Sequence, residues 1–419
     1  MTSLEGEGTA TVGAVRFLGA RRSYWRLLVR GAVLLMLTLG IYRFWLMTDV
    51  RRFLWTNTEI AGESMEYAGT ALELLLGFLV AVALLIPLYA GFFVGALELG
   101  PLGQLFGLIA FLALFVLGQY AIYRARRYRL TRTVYRGLRF HQSGSAWGYA
   151  FRAIGWWALT ILTCGLAYPF QLASLERFKM ANTWYGDLAG RFEGRGIGLL
   201  LRGLPIWLLV VGPLLLAVYT FVDAVDWKAL ADTLHQGGDD MMARLEGSNS
   251  AFSTVVAFAM LMASVAVTAA AVLYPAFQAI VLRWWSSGLR FGDIELRSKL
   301  RMRDVYGAYA RFLGYALLFS LIIAIAAVPA LATIGWLTEG GRGTGGELAA
   351  TAIVLVGYVI IALGFSTIYR ATVLLSLWQL GMESLHLSGL TALERVKATG
   401  RASSALGEGL ADALNVGGY

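Results

Sequence analysis

Six long stretches of this sequence contain no charged side chain, and each is at least 20 residues long. A helix of about 20 apolar residues crosses the hydrocarbon core of a bilayer, which is about 30 Å thick. The stretches cover residues 74–97, 101–123, 203–222, 247–282, 312–338 and 348–369. The chain is therefore predicted to be a membrane protein that crosses the bilayer several times.

Composition and charge placement agree with this prediction. Hydrophobic residues make up 58% of the chain, the mean hydropathy is +0.65, and only 15% of the residues are charged. The net charge of +9 would suit a nucleic-acid partner, but the arginines gather at the ends of the apolar stretches, where the positive-inside rule places them. We therefore expect no nucleic-acid partner.

A segment of 33 residues occurs twice without a gap, at 37–69 and again at 162–194. Eight positions are identical, several times more than unrelated segments of this composition would share, so we predict an internal repeat. Each copy has an apolar stretch broken at Gly40 or Gly165, which we interpret as hinges. An Arg-Phe pair and an Asn-Thr pair follow, and the Asn-Thr pair opens a strand-like pattern.

Polar residues shared by both copies are the best candidates for a role beyond packing. Asn57 and Asn182 precede the strand-like pattern, where an Asn side chain binds backbone groups; a contact with a ligand is the alternative. Arg52 and Arg177 are predicted to anchor the protein to anionic lipid headgroups. The same role is predicted for three arginines of a later basic segment: Arg126, Arg127 and Arg129.

Short echoes of the repeat predict five units in which a basic segment precedes a β-hairpin. These units lie near residues 51–69, 124–144, 177–194, 283–297 and 370–388. A further strand is predicted at Val15-Arg16-Phe17. Because strands with unpaired edges are not stable within lipid, we expect the edges of the hairpins to meet in a common sheet, a small β layer on the cytoplasmic side.

The charges of the loops predict which segments cross the membrane. Residues 124–139 hold seven arginines and no acid, so this segment is expected in the cytoplasm, and the acidic segment 223–250 is expected outside. Eight crossings would place residues 124–139 outside. Every loop is placed correctly if segments 24–48 and 149–175 dip into the membrane and return, which leaves six crossings and both termini in the cytoplasm.

The predicted fold is an all-α polytopic membrane protein with internal repeats. It has six transmembrane helices, two re-entrant or interfacial broken helices and a small cytoplasmic β-hairpin layer; eight plain transmembrane helices are the alternative. The predicted parts are a cytoplasmic N-terminal tail, two repeat units, the last two transmembrane helices with a hairpin, and a cytoplasmic C-terminal tail: residues 1–23, 24–144, 145–300, 301–388 and 389–419.

Few groups in the sequence are suited to catalysis or metal binding. The three histidines are scattered, the single cysteine excludes an internal disulfide, and no phosphate-binding loop or H-E-x-x-H motif is present. Charged residues lie near the ends of the apolar stretches and not at their centres. We therefore predict no enzymatic activity, no metal site and no cofactor.

One pattern in the first copy is shared with a known family. It consists of Leu37-Thr38-Leu39-Gly40-Ile41-Tyr42 followed by Trp45, Arg52-Phe53, Asn57 and Gly62, and it resembles the YjgN family of bacterial inner-membrane proteins, defined by domain of unknown function 898. The resemblance implies a multi-pass protein of the bacterial inner membrane. It brings no substrate, cofactor or catalytic residue with it.

Two functions remain open at this point. Repeats around Gly-broken half-helices commonly line a central pathway, which favours a permease or channel for a small solute or lipid of unknown identity. The alternative is a non-transporting scaffold that binds anionic lipid or a protein partner through its cytoplasmic basic layer. The expected partners are the lipid bilayer and its anionic phospholipids, and a homo-oligomer is a further possibility.

Overall fold

The computed structural model describes residues 13–98, 103–236, 252–339 and 343–397. The chain divides into two compact units. The first unit consists of Met1–Gly155, Ser174–Gly194 and Leu282–Tyr419, and the second of Trp156–Ala173 and Arg195–Val281. All strands belong to the first unit, whereas the described residues of the second unit are mainly helical.

Among the residues that the structure describes, six helices are long and apolar enough to cross a membrane. They cover Ala71–Gly95, Leu105–Arg132, Gly196–Ala224, Phe252–Gly288, Met302–Thr338 and Gly345–Glu383. These helices coincide with the six predicted stretches, so six candidate membrane helices are confirmed by length and composition. The alternative of eight plain transmembrane helices is not what the described residues show.

The helices are named here in chain order. Their bounds are α1 (Arg21–Leu37), α2 (Arg43–Thr56), α3 (Ala71–Glu98), α4 (Gly103–Arg132), α5 (Ala146–Leu162), α6 (Tyr168–Ala181), α7 (Gly196–Ala224), α8 (Trp227–Gln236), α9 (Phe252–Gly288), α10 (Met302–Glu339), α11 (Gly343–Tyr369) and α12 (Leu375–Glu383). A π-helical turn, Arg370–Leu374, joins α11 to α12.

Eleven strands form one antiparallel sheet with the neighbour order β3-β2-β1-β11-β10-β9-β8-β7-β6-β5-β4. Their bounds are β1 (Gly13–Phe17), β2 (Thr58–Ile60), β3 (Glu63–Ser64), β4 (Glu66–Tyr67), β5 (Thr133–Tyr135), β6 (Leu138–Gln142), β7 (Thr183–Tyr185), β8 (Leu188–Phe192), β9 (Leu289–Phe291), β10 (Ile294–Ser298) and β11 (Leu385–Ser388). The predictions of an all-α fold and of a small hairpin layer are therefore wrong: the protein is mostly helical but contains one large sheet.

The two ends of this strand order lie next to each other in the chain. Only Met65 separates β3 from β4, and its backbone N–H donates to the carbonyl of Thr58 at 3.1 Å. Residues 63–67 thus act as one strand whose first half pairs with β2 and whose second half pairs with β5. The sheet is therefore nearly closed, which leaves few exposed strand edges.

Two kinds of connection alternate around the sheet. Tight turns join β2 to β3, β5 to β6, β7 to β8, and β9 to β10. Helices join β1 to β2, β4 to β5, β6 to β7, β8 to β9, and β10 to β11, whereas the neighbours β1 and β11 have no direct connection. We call the strand ends that continue into helices the helix side of the sheet, and the opposite ends the turn side.

The small-layer prediction was wrong because the pairing between hairpins is not local. Each turn has a local signal, such as Arg136–Gly137, where both residues have positive φ angles of 48° and 72°. In contrast, β1 pairs with β11, so that Gly13 lies opposite Leu387 at the other end of the chain. A sequence pattern confined to one hairpin cannot report such a pair.

Side chains fill the interior of the nearly closed sheet. Two adjoining apolar clusters contain buried residues from both halves of the sheet: Val15, Ile294, Leu385 and Leu387 in one, and Met65, Tyr135 and Tyr185 in the other. A 3₁₀ turn, Leu390–Arg395, follows β11 and packs its Leu393 against both clusters. The sheet thus encloses a packed core.

Both predicted broken segments, 24–48 and 149–175, are pairs of helices. α1 and α5 each have 17 residues, and α2 and α6 each have 14. The first pair connects β1 to β2 and the second connects β6 to β7, and both strand pairs are hydrogen-bonded neighbours. Each segment therefore leaves the sheet and returns to a neighbouring strand, and its predicted dip into the membrane stays a prediction.

Two other predicted segments differ from expectation. The basic segment 124–139, predicted as a loop, is helical to Arg132 because it forms the end of α4. The predicted hairpin 370–388 is a π-helical turn, α12 and the single strand β11. The strand predicted at Val15-Arg16-Phe17 is confirmed as part of β1. Parts of both predicted tails and of the acidic segment 223–250 lie outside the described residues.

Candidate functional site

The break between α1 and α2 is built around a threonine. The Thr38 hydroxyl donates to the carbonyl of Leu34 at 2.7 Å and accepts the backbone N–H of Tyr42 at 3.0 Å. Leu39 and Gly40 then take φ angles of +50° and +92°. Glycine adopts this left-handed conformation without steric cost, so Gly40 allows the chain to turn back towards the sheet.

The break between α5 and α6 has the same local geometry. The Thr163 hydroxyl donates to the carbonyl of Leu159 at 2.8 Å and accepts the backbone N–H of Ala167 at 3.0 Å. Cys164 and Gly165 have φ angles of +48° and +92°. Gly40 and Gly165 therefore lie at equivalent turning points, and their predicted motion as hinges stays a prediction.

Large apolar side chains are exposed at both breaks. Leu39 is 93% exposed, and its neighbours Leu37 and Ile41 are also exposed. At the second break, Leu162 is 81% exposed, next to the exposed Ile161. Contiguous exposed apolar groups of this kind mark a surface that contacts lipid or another protein.

Asn57 and Asn182 join each broken segment to the sheet. Each side-chain amide donates to a phenylalanine carbonyl four residues earlier, at 2.7 Å and 2.8 Å. Their own backbone carbonyls accept the N–H groups of Leu18 and Ser143, both at 2.8 Å. These contacts support the predicted backbone-binding role, and a contact with a ligand stays a prediction.

Arg52 and Arg177 also occupy matching positions. Both side chains are exposed, and their guanidinium groups donate to the carbonyls of Gly69 and Gly194, at 3.1 Å and 3.3 Å. Each arginine thus links the second helix of its segment to a glycine two residues before the next candidate membrane helix. Their binding of lipid headgroups stays a prediction.

The three later arginines predicted to bind lipid headgroups lie on α4 and have different surroundings. Arg126 points into the protein, where its guanidinium donates to the hydroxyl of Thr183 at 2.8 Å and to the side-chain oxygen of Gln142 at 3.3 Å. Arg127 donates to the carbonyl of Gly144, and Arg129 is half-buried. Arg126 therefore acts within the protein, while lipid contacts of Arg127 and Arg129 stay predictions.

Sequence reasoning missed a buried ion pair beside Arg126. Glu176 and Lys179, one turn apart on α6, form a salt bridge, and the carbonyl of Lys179 also accepts from Arg126. Burial lowers the pKa of the Lys179 ammonium, and the charge of Glu176 opposes this shift. The spacing of an acid and a lysine by three residues was the available signal.

A threonine pattern at the helix side of the sheet was only partly recognised in the sequence, where Thr58 and Thr183 were noted but Thr133 was not. Thr58, Thr133 and Thr183 open β2, β5 and β7, and each hydroxyl donates to the carbonyl four residues earlier. Each hydroxyl also accepts one further hydrogen bond, from Trp378, Trp55 and Arg126 respectively. A threonine at three of the five described transitions from helix to strand was the signal, whereas β9 and β11 open with a leucine.

The second break lines a cavity of about 340 Å³ within the second unit. Its walls include Cys164, Gly165, Tyr168, Trp207 and Phe277. The indole N–H of Trp207 donates to the carbonyl of Cys164 at 2.8 Å, which satisfies a backbone group at the break. The walls are mostly apolar, so the cavity suits a hydrocarbon group better than a polar solute.

A smaller and more polar cavity of about 230 Å³ lies beside Arg52. Its lining also includes Thr48, Asp49 and Thr70. Across the described parts of the chain, no three His, Cys, Asp or Glu side chains lie close enough together to hold a metal ion. His141 instead stacks on Trp184, with ring centroids 6.2 Å apart.

The sequence matches the family DUF898, described as a bacterial protein of unknown function, over residues 12–413. No curated protein and no solved structure gave a significant match. The family match confirms the resemblance to the YjgN family, and together with six apolar helices it indicates a multi-pass membrane protein. Because the match covers almost the whole sequence, this chain belongs to the DUF898 family of bacterial proteins.

Proposed function

We propose that this protein is a non-transporting scaffold of the bacterial inner membrane. Six helices anchor it, and the sheet lies at the cytoplasmic face of the bilayer, where exposed arginines bind anionic lipid. The observation that carries the proposal is the filled interior of the sheet: buried apolar side chains occupy it, and the 3₁₀ turn at Leu390–Arg395 packs against them. The proposal includes no catalytic activity.

Chain connectivity supports a cytoplasmic sheet. Every helical connection leaves one strand and returns to a hydrogen-bonded neighbour, so these helix ends share one side of the membrane. Basic residues lie near these ends, as in the stretch from Arg124 to Arg132, whereas Asp223, Asp226 and Glu347 lie at opposite helix ends. The positive-inside rule then favours a cytoplasmic sheet and cytoplasmic termini.

The lengths of the broken helices support insertion into one leaflet. At 1.5 Å per residue, α1 and α5 are about 25 Å long, shorter than a hydrocarbon core of about 30 Å. Their exposed apolar tips at Leu39 and Leu162 would be solvated by acyl chains in a membrane. Because both breaks share the same bonds, we also propose that they are copies of one ancestral segment.

The described membrane helices support a scaffold over a permease. Ionisable residues lie towards the ends of these helices, so their central turns offer no charged site for an ion or polar solute. The cavity at Gly165 is apolar, and therefore a lipid remains the only permeant that the described walls would suit.

The topology is tested with single cysteines in a Cys164→Ala background. Lys228→Cys on α8 and Arg297→Cys on β10 replace exposed residues. A membrane-impermeant maleimide added to intact spheroplasts is expected to label Cys at 228 at once and Cys at 297 only after lysis. Labelling of the 297 variant in intact spheroplasts would contradict a cytoplasmic sheet.

Lipid binding is tested by hydrogen exchange in nanodiscs with and without phosphatidylglycerol. An Arg52→Gln/Arg177→Gln variant is expected to lose the protection that anionic lipid gives to the two breaks, with unchanged exchange in neutral nanodiscs. The matched control, Arg136→Gln/Arg139→Gln, removes the same charge from exposed residues of the β5–β6 hairpin and should behave as wild type. Equal loss in both variants would contradict specific anchoring.

The permease alternative is tested in proteoliposomes. A scaffold is expected to leave solute leakage and lipid scrambling at the level of protein-free liposomes. Flux above that level that is abolished by Gly40→Leu or Gly165→Leu would contradict the scaffold proposal and support a permease.

A further inference from the structure

Two arginines from distant parts of the first unit converge on one buried serine. Arg21 at the start of α1 donates to the hydroxyl of Ser376 at 3.3 Å, and Arg311 on α10 donates to the same oxygen at 3.2 Å. Ser376 is only 1% exposed, whereas Arg21 is half-buried and Arg311 is exposed. The serine therefore fixes two cationic groups whose outer faces remain accessible.

These two charges have no counter-ion among the residues that the structure describes. Neither guanidinium forms an ion pair with a described carboxylate. Burial, and then the charge of Arg311, lower the pKa of Arg21. A guanidinium has five donors and Ser376 takes one from each arginine, so most of the donors remain available to an anion.

An apolar groove begins one helical turn from both arginines. Trp25 and Tyr315 lie four residues after Arg21 and Arg311, and their rings are 5.9 Å apart. The groove has a volume of about 580 Å³ between α1, α10 and α11, and its lining includes Trp25, Val33, Met36, Tyr315, Phe319 and Gly364.

The groove matches the length of an acyl chain within one leaflet. Trp25 to Met36 spans about 16 Å of helix at 1.5 Å per residue. One leaflet contributes half of a hydrocarbon core of about 30 Å. A chain lying in this groove would therefore end near the centre of the bilayer, with its headgroup beside Trp25 and Tyr315, the kind of residues that favour membrane interfaces.

We propose that Arg21, Arg311 and this groove form a binding site for one anionic phospholipid. The two guanidinium groups bind the phosphate, Ser376 holds them in place, and one acyl chain lies along the groove. Charge-assisted hydrogen bonds from two arginines to a phosphate are strong and geometrically specific. The site stands independently of the scaffold proposal, because a permease could carry the same bound lipid.

The site is tested by native mass spectrometry of the full-length protein in detergent, titrated with phosphatidylglycerol or phosphatidylethanolamine. Wild type is expected to bind one phosphatidylglycerol at least about tenfold more tightly than phosphatidylethanolamine. Arg21→Gln/Arg311→Gln should weaken phosphatidylglycerol binding by about tenfold or more, as expected for loss of hydrogen bonds to a charged group. Arg22→Gln/Arg26→Gln, which removes two exposed arginines of α1, is the matched control and should bind as wild type.

The groove is tested separately from the charges. Ala32→Trp fills the groove and should abolish binding of the same lipid, while Val80→Trp on α3, at an exposed position, should have no effect. Inorganic phosphate should not compete, because it has no acyl chain. If the thermal unfolding midpoint shows that one of the site variants does not fold, Arg311→Lys replaces it. This variant keeps the charge but loses the forked geometry, so it should also weaken phosphatidylglycerol binding.

Three results would each overturn the proposal. They are wild-type affinity in the Arg21→Gln/Arg311→Gln variant, equal loss in the Arg22→Gln/Arg26→Gln control, and equal binding of the two lipids by wild type. Displacement of the lipid by millimolar inorganic phosphate would likewise contradict an acyl-chain site.

Discussion

The two broken helices have the same backbone and different surroundings. Their threonine bonds agree within 0.1 Å, and Gly40 and Gly165 have the same φ of +92°. A side chain added at Gly40 would meet nothing within 4 Å, whereas one at Gly165 would lie 3.4 Å from the Trp207 indole nitrogen. The Thr-x-Gly break is thus set by local chemistry, while the cavity at the second break depends on residues brought from α7.

The largest expected effect tests the shared backbone. Gly40→Val and Gly165→Val each place a β-branched residue at a φ that it tolerates poorly, and each should destabilise the protein by about 1–3 kcal/mol. Unfolding in SDS, followed by tryptophan fluorescence, measures the change. Similar losses of stability are expected at both sites, because the backbone strain at a positive φ outweighs the contacts of the new side chain with its neighbours.

Gly155→Val is the control for this prediction. Gly155 lies on α5 with no positive φ and nothing near its would-be Cβ, so its substitution should have a smaller effect. A tolerated valine at either break would show that the left-handed turn is not required there.

An intermediate effect tests the junctions with the sheet. Asn57→Ala and Asn182→Ala each remove the amide that donates to a helix carbonyl, and each should cost about 0.5–1.5 kcal/mol. The same unfolding assay compares them, and Asn→Asp variants, which keep the size but lose the donor, should behave similarly. A loss confined to one site would break the equivalence of the two segments.

The smallest effect should distinguish the two segments. Trp207→Phe keeps an aromatic ring but leaves the Cys164 carbonyl without its indole donor, which should lower the free energy of unfolding by about 0.5–1 kcal/mol. Because Cys164 is already exposed, backbone hydrogen exchange at residues 162–167 is the measure of opening at the second break. Faster exchange is expected there, with unchanged hydrogen exchange at residues 37–42. Equal acceleration at both breaks would refute a local effect.

Much of this architecture could be predicted from local sequence signals. The six membrane helices follow from apolar length alone, and both breaks follow from Thr-x-Gly between apolar stretches. The loop charges predicted that segments 24–48 and 149–175 dip into the membrane and return; each segment connects two neighbouring strands, and its path in the membrane stays a prediction. Each of these features depends on residues that lie within about one helix length of one another in the sequence.

The remaining features depend on residues far apart in sequence. Closure of the sheet requires β1 beside β11, and no local pattern indicates that partner. In the sequence Arg126 cannot be distinguished from the neighbouring arginines, yet its position on α4 turns it towards Thr183 on β7. Arg21, Arg311 and Ser376 likewise meet only in the folded chain.

The pairing of β1 with β11 has a consequence for biogenesis. Strand β1 is synthesised before the helices that follow it, whereas its neighbour β11 is synthesised after all six candidate membrane helices. All five helical connections must therefore be made before β1 can pair with β11. A chain truncated before residue 385 would leave the facing edges of β1 and β10 unpaired.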